Sequence, residues 1–145
     1  MIKSSLEFLQ PKNWMKPKGY SNGVAAEGRQ VFIAGQIGWS EHGKLISDDF
    51  VAQVERALLN VVAVLAVAGG EPCHLTRLTW FITDKPAYMA RQKEIGEVYR
   101  RVVGRHFPAM TLIMVAGLLE PGAKVEVEAT AVIPIEGRPK NTRNK

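Results

Sequence analysis

The segment KVEVEATAVI, residues 124–133, decides the fold because its residues alternate in polarity. One side of an extended chain carries its apolar residues, Val125, Val127, Ala129 and Ala131. The other side carries Glu126, Glu128 and Thr130. Since successive side chains of a strand point to opposite faces, the segment predicts a strand that covers an apolar core with one face. The two carboxylates on the second face then need a partner or a function.

Three further strands are predicted where β-branched and aromatic residues cluster or alternate with small ones. They are residues 29–37 (RQVFIAGQI), 75–83 (LTRLTWFIT) and 110–115 (MTLIMV). A short first strand is predicted within GYSNGVA, residues 19–25. Gly35, in the first long strand, allows another chain segment to approach its backbone closely.

Two helices are predicted between these strands. The first is expected to begin at Ser47 as its N-cap, where Asp48 and Asp49 complement the positive end of a helix. Its apolar residues recur at helical spacing, at Phe50, Val54, Leu58, Val61 and Leu65. The second helix follows a turn at residues 84–86. Its apolar stripe comprises Ile95, Val98, Tyr99 and Val102.

The predicted order of elements is β-β-α-β-α-β-β, which favours an α+β fold with one sheet and both helices on one of its faces. Residues 19–135 are expected to form the single domain, between an N-terminal arm at 1–18 and a polar, flexible tail at 136–145. Trp80 and Ile82 are expected on the open face, where a broad apolar patch is unfavourable in water. A homo-oligomer that closes this face is therefore predicted, with ligand sites in clefts between subunits.

The composition narrows the class of protein. A chain of 145 residues with 46% hydrophobic and 23% charged residues is typical of one globular domain. The apolar run at residues 61–68 is too short to span a bilayer, and the start of the chain does not resemble a secretory signal. A single cysteine, Cys73, excludes an internal disulfide and fits a reducing compartment. The sequence predicts a cytoplasmic protein without a membrane partner.

The net charge of +5 raises the question of nucleic-acid binding. The basic excess lies at the two ends of the chain, however, and the part between them is nearly neutral. Binding to nucleic acid needs basic residues gathered on a folded face, so no such partner is predicted. The three histidines are scattered, and Cys73-His74 alone is no metal signature. No metal is therefore predicted, and the lack of a Gly-rich phosphate loop predicts no cofactor.

Four motifs in sequence order resemble the RidA/YjgF family, which is also labelled endoribonuclease L-PSP. They are GYSNGV at residues 19–24, VFIAGQIG at 31–38, FPAM at 107–110 and KVEVEATAV at 124–132. The resemblance spans nearly the whole predicted domain. It implies a chorismate mutase-like α+β fold that assembles as a homotrimer with clefts between subunits. It also implies hydrolysis of reactive enamines and imines, such as 2-aminoacrylate, to keto acids and ammonia.

Several positions match the family's cleft. The resemblance assigns Glu126 to the glutamate that positions the attacking water. Tyr20 falls at the cleft tyrosine, and Ala34, Gly35 and Gln36 fall at the family's Ser-Gly-Gln segment. The alternative is that Glu126 lies on the solvated face of an edge strand and that Tyr20 is a packing residue.

Three positions depart from the family's pattern. Met110 stands where imine deaminases carry the arginine that clamps the substrate carboxylate. Leu112 and Lys93 stand at the positions of a cleft cysteine and a cleft asparagine. A guanidinium binds a carboxylate through two charge-assisted hydrogen bonds, whereas a thioether has neither charge nor donor. The sequence thus resembles the arginine-less branch of the family, with Lys93 or Arg91 as candidates for the missing charge.

Three functions are compatible with these residues. The first is a deaminase or hydrolase that acts on an enamine or imine, and Met110 and Leu112 suit a larger conjugated substrate such as 2-aminomuconate. The second is a non-catalytic trimer that binds a small metabolite or a protein. The third is an endoribonuclease or translation inhibitor, against which the near-neutral domain weighs.

Overall fold

A computed structural model describes residues 6–137 of the chain. Its strands are β1 (Glu7–Leu9), β2 (Gly23–Ala25), β3 (Arg29–Gln36), β4 (Leu75–Ile82), β5 (Ala109–Met114) and β6 (Val125–Ile133). Its helices are α1 (Phe50–Val67), α2 (Lys85–Ala90) and α3 (Gln92–Val102), with a 3-10 turn at Pro72–His74. The predicted α+β fold is confirmed, with one main sheet and two main helices.

The main sheet has the order β3-β6-β4-β5. The strand β6 is antiparallel to both of its neighbours, whereas β4 and β5 run parallel. The helix α1 packs on β3 and β6, and α3 packs beside α1. Both helices share one apolar core with one face of the sheet, which is called here the helix face. The opposite face is called the open face.

The beginning of the chain differs from the prediction. The strand β2 does not join the main sheet but pairs with β1, which lies in the predicted N-terminal arm. An isolated parallel bridge between Ser21 and Ala109 connects this part to β5. Residues 7–9 are therefore held to the domain by backbone hydrogen bonds. Most of the predicted tail, residues 138–145, lies outside the described residues.

The predicted N-cap of α1 is wrong by two residues. Asp49, not Ser47, caps the helix, and its carboxylate accepts a hydrogen bond of 2.9 Å from the backbone N–H of Ala52. The hydroxyl of Ser47 accepts a bond of 3.0 Å from the N–H of Asp49. Ser47 therefore stabilises the turn that places Asp49 at the N-cap.

The predicted orientation of β4 is also wrong. Trp80 and Ile82 were expected on the open face, but they are only 2% and 1% exposed and belong to the core. Trp80 pairs with Val127, whose side chain lies on the helix face. The open face carries Phe32 instead, which is 74% exposed. An exposed apolar surface, from which the sequence analysis predicted an oligomer, is therefore present on the open face. Phe32 contributes to it, and Trp80 and Ile82 do not.

The helix α1 is long and apolar enough to cross a membrane by length and composition alone, and it alone meets this test among the described residues. In this structure, its apolar residues pack against the rest of the protein instead of lipid. The residues at the predicted spacing are buried against the sheet and α3, at Phe50, Val54, Leu58, Val61 and Leu65. The apolar run of α1 therefore forms the centre of the core.

Gln53 is a fully buried polar residue of α1 that fixes the start of β6. Its amide nitrogen donates to the carbonyls of Ser47 and Gly122, at 2.9 and 3.0 Å. Its amide oxygen accepts a bond of 2.8 Å from the N–H of Lys124. A Cβ on Gly38 would lie 2.7 Å from the Cα of Gln53, so only glycine fits there. The side chain thus joins two loops next to the strand that carries Glu126.

Candidate functional site

Glu126 lies on the open face of the sheet, half-buried, opposite Phe81 of β4. The register of β3 against β6 shifts between Ile33 and Gln36, which places Gly35 next to the glutamate. A Cβ on Gly35 would lie only 2.1 Å from Oε1 of Glu126. A glycine at this irregularity in the strand therefore leaves the space that the carboxylate occupies.

The segment around Gly35 is held by its own polar groups. The amide nitrogen of Gln36 donates to the carbonyl of Ala34 at 3.1 Å. The indole N–H of Trp39 donates to the amide oxygen of Gln36 at 3.4 Å. Of the three predicted residues, Gly35 lies against the Glu126 carboxylate, Ala34 lines a hollow with Glu128, and Gln36 contacts Trp39.

Glu128 lies further along the same face and is exposed. It lines a shallow hollow of about 410 Å³, together with Phe32, Ala34, Arg77, Thr79 and Thr130. Arg77 is also exposed in this hollow, so acid and base are present on one open surface. Among the described residues, the contacts of Glu128 give it no role beyond lining this hollow.

A second pocket lies on the other side of the sheet, between α3 and β5, and has a volume of about 320 Å³. Its aromatic walls are Trp80, Tyr88, Tyr99 and Phe107. The remaining lining residues are Gly19, Gln92, Ile95, Gly96, Arg100 and Met110. We call this the aromatic pocket. Of the predicted site residues it contains Met110, while Leu112 packs against the neighbouring core.

Two hydrogen bonds fasten the segment that precedes β2 to the mouth of the aromatic pocket. The backbone N–H of Ser21 donates to the carbonyl of Pro108 at 3.0 Å. The Ser21 hydroxyl donates to the carbonyl of Phe107 at 2.5 Å. These bonds bring Gly19 to the pocket, and the predicted residue Tyr20 follows it with 41% of its surface exposed.

The aromatic walls are rigidly placed. The ring of Tyr99 stacks on Phe107 with a centroid distance of 5.7 Å and an interplanar angle of 11°. Its hydroxyl donates to the carbonyl of His106 at 2.6 Å. Burial raises the pKa of Tyr99 well above its usual value, so this donor keeps its proton at neutral pH. Burial also raises the pKa of Tyr88.

Glu126 and Met110 do not share a face of the sheet. Met110 pairs with Leu78 of β4, a fully buried residue of the helix face. Glu126 pairs with Phe81, which lies on the open face. A single chain therefore separates the predicted catalytic acid from the position of the family's clamp.

The cations that were predicted to replace the clamp are placed elsewhere. Arg91 pairs with Asp49 and Glu94, with N–O distances of 2.5 and 2.7 Å. Hydrogen bonds from Arg91 lower the pKa of both carboxyls. Lys93 is exposed on α3 and does not line the aromatic pocket. Neither residue is brought together with Met110.

Arg100 is the cation in the aromatic pocket, and the sequence analysis did not identify it. The signal was present in the spacing, because Gln92, Gly96 and Arg100 recur every four residues and share one side of α3. Arg101, the next residue, pairs with Glu55 at 3.0 Å. Arg100 makes no ion pair with any carboxylate between residues 6 and 137.

Glu71, Cys73 and His74 form a cluster whose possible ligand atoms lie within 4.8 Å of one another. The Nδ1 atom of His74 already accepts a hydrogen bond of 2.9 Å from the N–H of Glu71. Burial raises the pKa of the Cys73 thiol, which disfavours the thiolate that a metal would bind. The hydrogen bond to Nδ1 makes this cluster part of the capped turn at Pro72–His74.

Comparison with known proteins gives consistent results. The family model described as endoribonuclease L-PSP matches residues 13–133. The protein DfrA of Myxococcus xanthus is 36% identical over 115 residues, which cover 78% of this chain and 84% of DfrA. The putative reactive intermediate deaminase TdcF of Escherichia coli is 32% identical over 108 residues, which cover 72% of this chain and 80% of TdcF.

Solved structures agree with the fold. The Rid-family protein YyfB of Yersinia pestis, described as of unknown function, superposes with a TM-score of 0.77 at 31% identity, over 88% of this chain and 98% of its own. The structure of Escherichia coli TdcF with bound serine superposes with a TM-score of 0.62 at 29% identity, again over 88% and 98% of the two chains.

Proposed function

Since this chain belongs to the RidA/YjgF family, whose family model is described as endoribonuclease L-PSP, we propose that it hydrolyses a reactive enamine or imine metabolite. The reaction is assigned to a cleft between neighbouring subunits of a homotrimer. The relation to TdcF, named as a putative reactive intermediate deaminase, supports this class of reaction. The observation that carries the proposal is the placement of Glu126 over Gly35 on an open face with exposed apolar residues.

The chemistry assigned to Glu126 is the orientation of water. Its carboxylate accepts a hydrogen bond from the water, whose oxygen attacks the carbon of the protonated imine while the C=N π electrons move to nitrogen. The carboxylate takes the proton that the water loses and returns it to the nitrogen. The C–N bond then breaks as the carbonyl forms, and the hydroxyl proton passes through the carboxylate to the departing ammonia, which leaves as ammonium. One water is consumed for each ammonia released, and no oxidant or reductant is required.

The opposite placement of Glu126 and Met110 supports the intersubunit site. A cleft that contains both positions needs the open face of one subunit and the aromatic pocket side of another. Exposed Phe32 and Ile113, at 74% and 41%, give the open face the apolar surface that such contact requires. Light scattering is expected to show a trimer, and a monomer would contradict the intersubunit cleft.

A second function is favoured by one specific observation, the thioether of Met110 at the position of the family's arginine. Under this alternative the trimer binds a small metabolite or a protein without catalysis. An endoribonuclease or translation inhibitor is less favoured, since the part of the chain between its basic ends is nearly neutral.

Ammonia release from 2-aminoacrylate and 2-aminomuconate separates these functions. Wild-type protein is expected to accelerate release from at least one of them, and Glu126→Ala should lose about 100-fold or more of this rate. Glu128→Ala is the matched control, because Glu128 lies on the same face two residues away and should retain the rate. No acceleration by the wild type on either compound would favour the binding function.

A further inference from the structure

We propose that the aromatic pocket holds the ring or conjugated chain of a carboxylate substrate, and that Arg100 supplies the positive charge that Met110 does not. The inference deepens the proposed function, on which it rests for the type of reaction. The shape and charge of the ligand follow from the pocket itself.

The walls of the pocket select an unsaturated, apolar ligand. Tyr88 and Phe107, both half-buried, provide flat surfaces on which a planar group can stack, and the largely buried Trp80 adds apolar contact. The thioether of Met110 adds a polarizable contact for a ring. A volume of about 320 Å³ lies at the low end of the range for small-molecule sites, which suits a metabolite.

Gly96 keeps the pocket open. No atom lies within 4 Å of the position that a Cβ would take, although this glycine lies in the interior of α3. Glycine is among the least favourable residues inside a helix. No packing contact or backbone strain among the described residues requires a glycine here. Space for a bound ligand would explain it.

Arg100 is the available charge in this pocket. Arg91 and Arg101 are both held by carboxylates, and Arg100 has none within residues 6–137. Arg100 is exposed and lines the pocket, and a guanidinium can bind a carboxylate through two parallel hydrogen bonds. The charge that the family carries on β5 is thus moved to α3.

This arrangement defines a substrate class. A three-carbon imino acid that binds Arg100 would leave the aromatic walls uncovered. A carboxylate that carries a ring or an extended conjugated chain contacts both. The expected substrates are therefore aromatic or conjugated 2-imino or 2-enamino acids, and the products are the corresponding 2-keto acids.

Binding of a product analogue tests the inference without turnover. By calorimetry, phenylpyruvate is expected to bind at least about tenfold more tightly than pyruvate, and Arg100→Gln should weaken its binding by about tenfold or more. Arg101→Gln is the matched control and should bind phenylpyruvate as the wild type does. Equal affinity for phenylpyruvate and pyruvate, or equal effects of the two substitutions, would overturn the inference.

A second variant fills the pocket. Gly96→Leu should weaken phenylpyruvate binding by about tenfold or more, while the stronger helix propensity of leucine maintains or raises the melting temperature. Unchanged binding by this variant would also overturn the assignment of the pocket.

The two proposals can fail separately. Arg100-dependent binding of phenylpyruvate without ammonia release from 2-imino-3-phenylpropanoate, 2-aminoacrylate or 2-aminomuconate would contradict the proposed hydrolysis and leave the pocket assigned. Ammonia release from 2-aminoacrylate or 2-aminomuconate without Arg100-dependent binding would contradict this inference and leave the hydrolysis intact.

Discussion

The carboxylate of Glu126 occupies the space that a side chain on Gly35 would need, since a Cβ there would lie 2.1 Å from Oε1. The two residues lie on adjacent strands, and the shift in register between β3 and β6 brings them together. The position of the acid is therefore set by a residue that has no functional group.

Substitution of this glycine should impair catalysis through the position of the acid. Gly35→Ala is expected to displace the Glu126 carboxylate and to lower kcat by about tenfold or more, since misplacement by about 1 Å can cost 100-fold. Steady-state ammonia release measures the effect. Gly117→Ala is the control, because no atom lies within 4 Å of its added Cβ. Similar rates for Gly35→Ala and wild type would show that Glu126 needs no fixed position.

The clamp of the family can be restored at its own position. Met110→Arg is expected to raise turnover of 2-aminoacrylate, because a guanidinium binds the small carboxylate that the thioether cannot. The same substitution should weaken phenylpyruvate binding, since the longer charged side chain enters the aromatic pocket next to Arg100. Ammonia release and calorimetry measure the two effects. If Met110→Arg changes neither the turnover of 2-aminoacrylate nor the affinity for phenylpyruvate, Met110 does not determine specificity.

Gln53 should contribute strongly to stability. Gln53→Leu leaves the N–H of Lys124 and the carbonyls of Ser47 and Gly122 without their partner, which is expected to cost about 3 kcal/mol or more. The free energy of unfolding from urea denaturation measures this loss. Gln30→Leu, at an exposed position of β3, is the control and should change stability by less than about 0.5 kcal/mol. Equal effects would contradict the role of the buried amide.

The ion pair between Asp49 and Arg91 should give a measurable pH dependence. The hydrogen bond from Arg91 lowers the pKa of Asp49, so its contribution is complete above the unfolded pKa of about 3.9 and is lost as pH falls through the lower folded value. Asp49→Asn keeps a good N-cap but removes the charge. The variant is expected to melt about 1–3 °C below wild type at pH 7.

This difference should shrink as the pH falls below about 4, where the wild-type carboxyl takes up a proton. Asp48→Asn serves as the control, because Asp48 is the neighbouring carboxylate and forms no ion pair within residues 6–137. Thermal melts of both variants between pH 2 and pH 7 would show the difference. A difference for Asp49→Asn that is independent of pH would contradict the charge interaction.

Some of the fold follows directly from sequence pattern. Strict alternation at residues 125–131 identifies the strand and the face of Glu126, because polar and apolar residues separate cleanly there. In Leu75–Ile82 large apolar residues fall on both faces, with Trp80 on one and Phe81 on the other. Alternation there cannot identify the buried side, and the pairing with β6 decides it instead.

The candidate site is less visible in the sequence for a different reason. Gly96 and Arg100 lie four residues apart on α3, and this spacing alone does not indicate a binding site. The pocket forms only when β5 packs beside α3. Likewise, the link from Gln53 to Lys124 spans two loops that only the folded chain brings together. Residues whose role depends on contacts between distant parts of the chain could therefore be identified only from the structure.

The placement of Glu126 and Met110 on opposite faces has a genetic consequence. In the proposed trimer, a chain with Glu126→Ala still offers an intact Arg100, and a chain with Arg100→Gln still offers an intact Glu126. Random co-assembly of the two impaired proteins should leave about one quarter of the clefts with both residues intact. Two damaged alleles of the same gene would then complement each other in one cell.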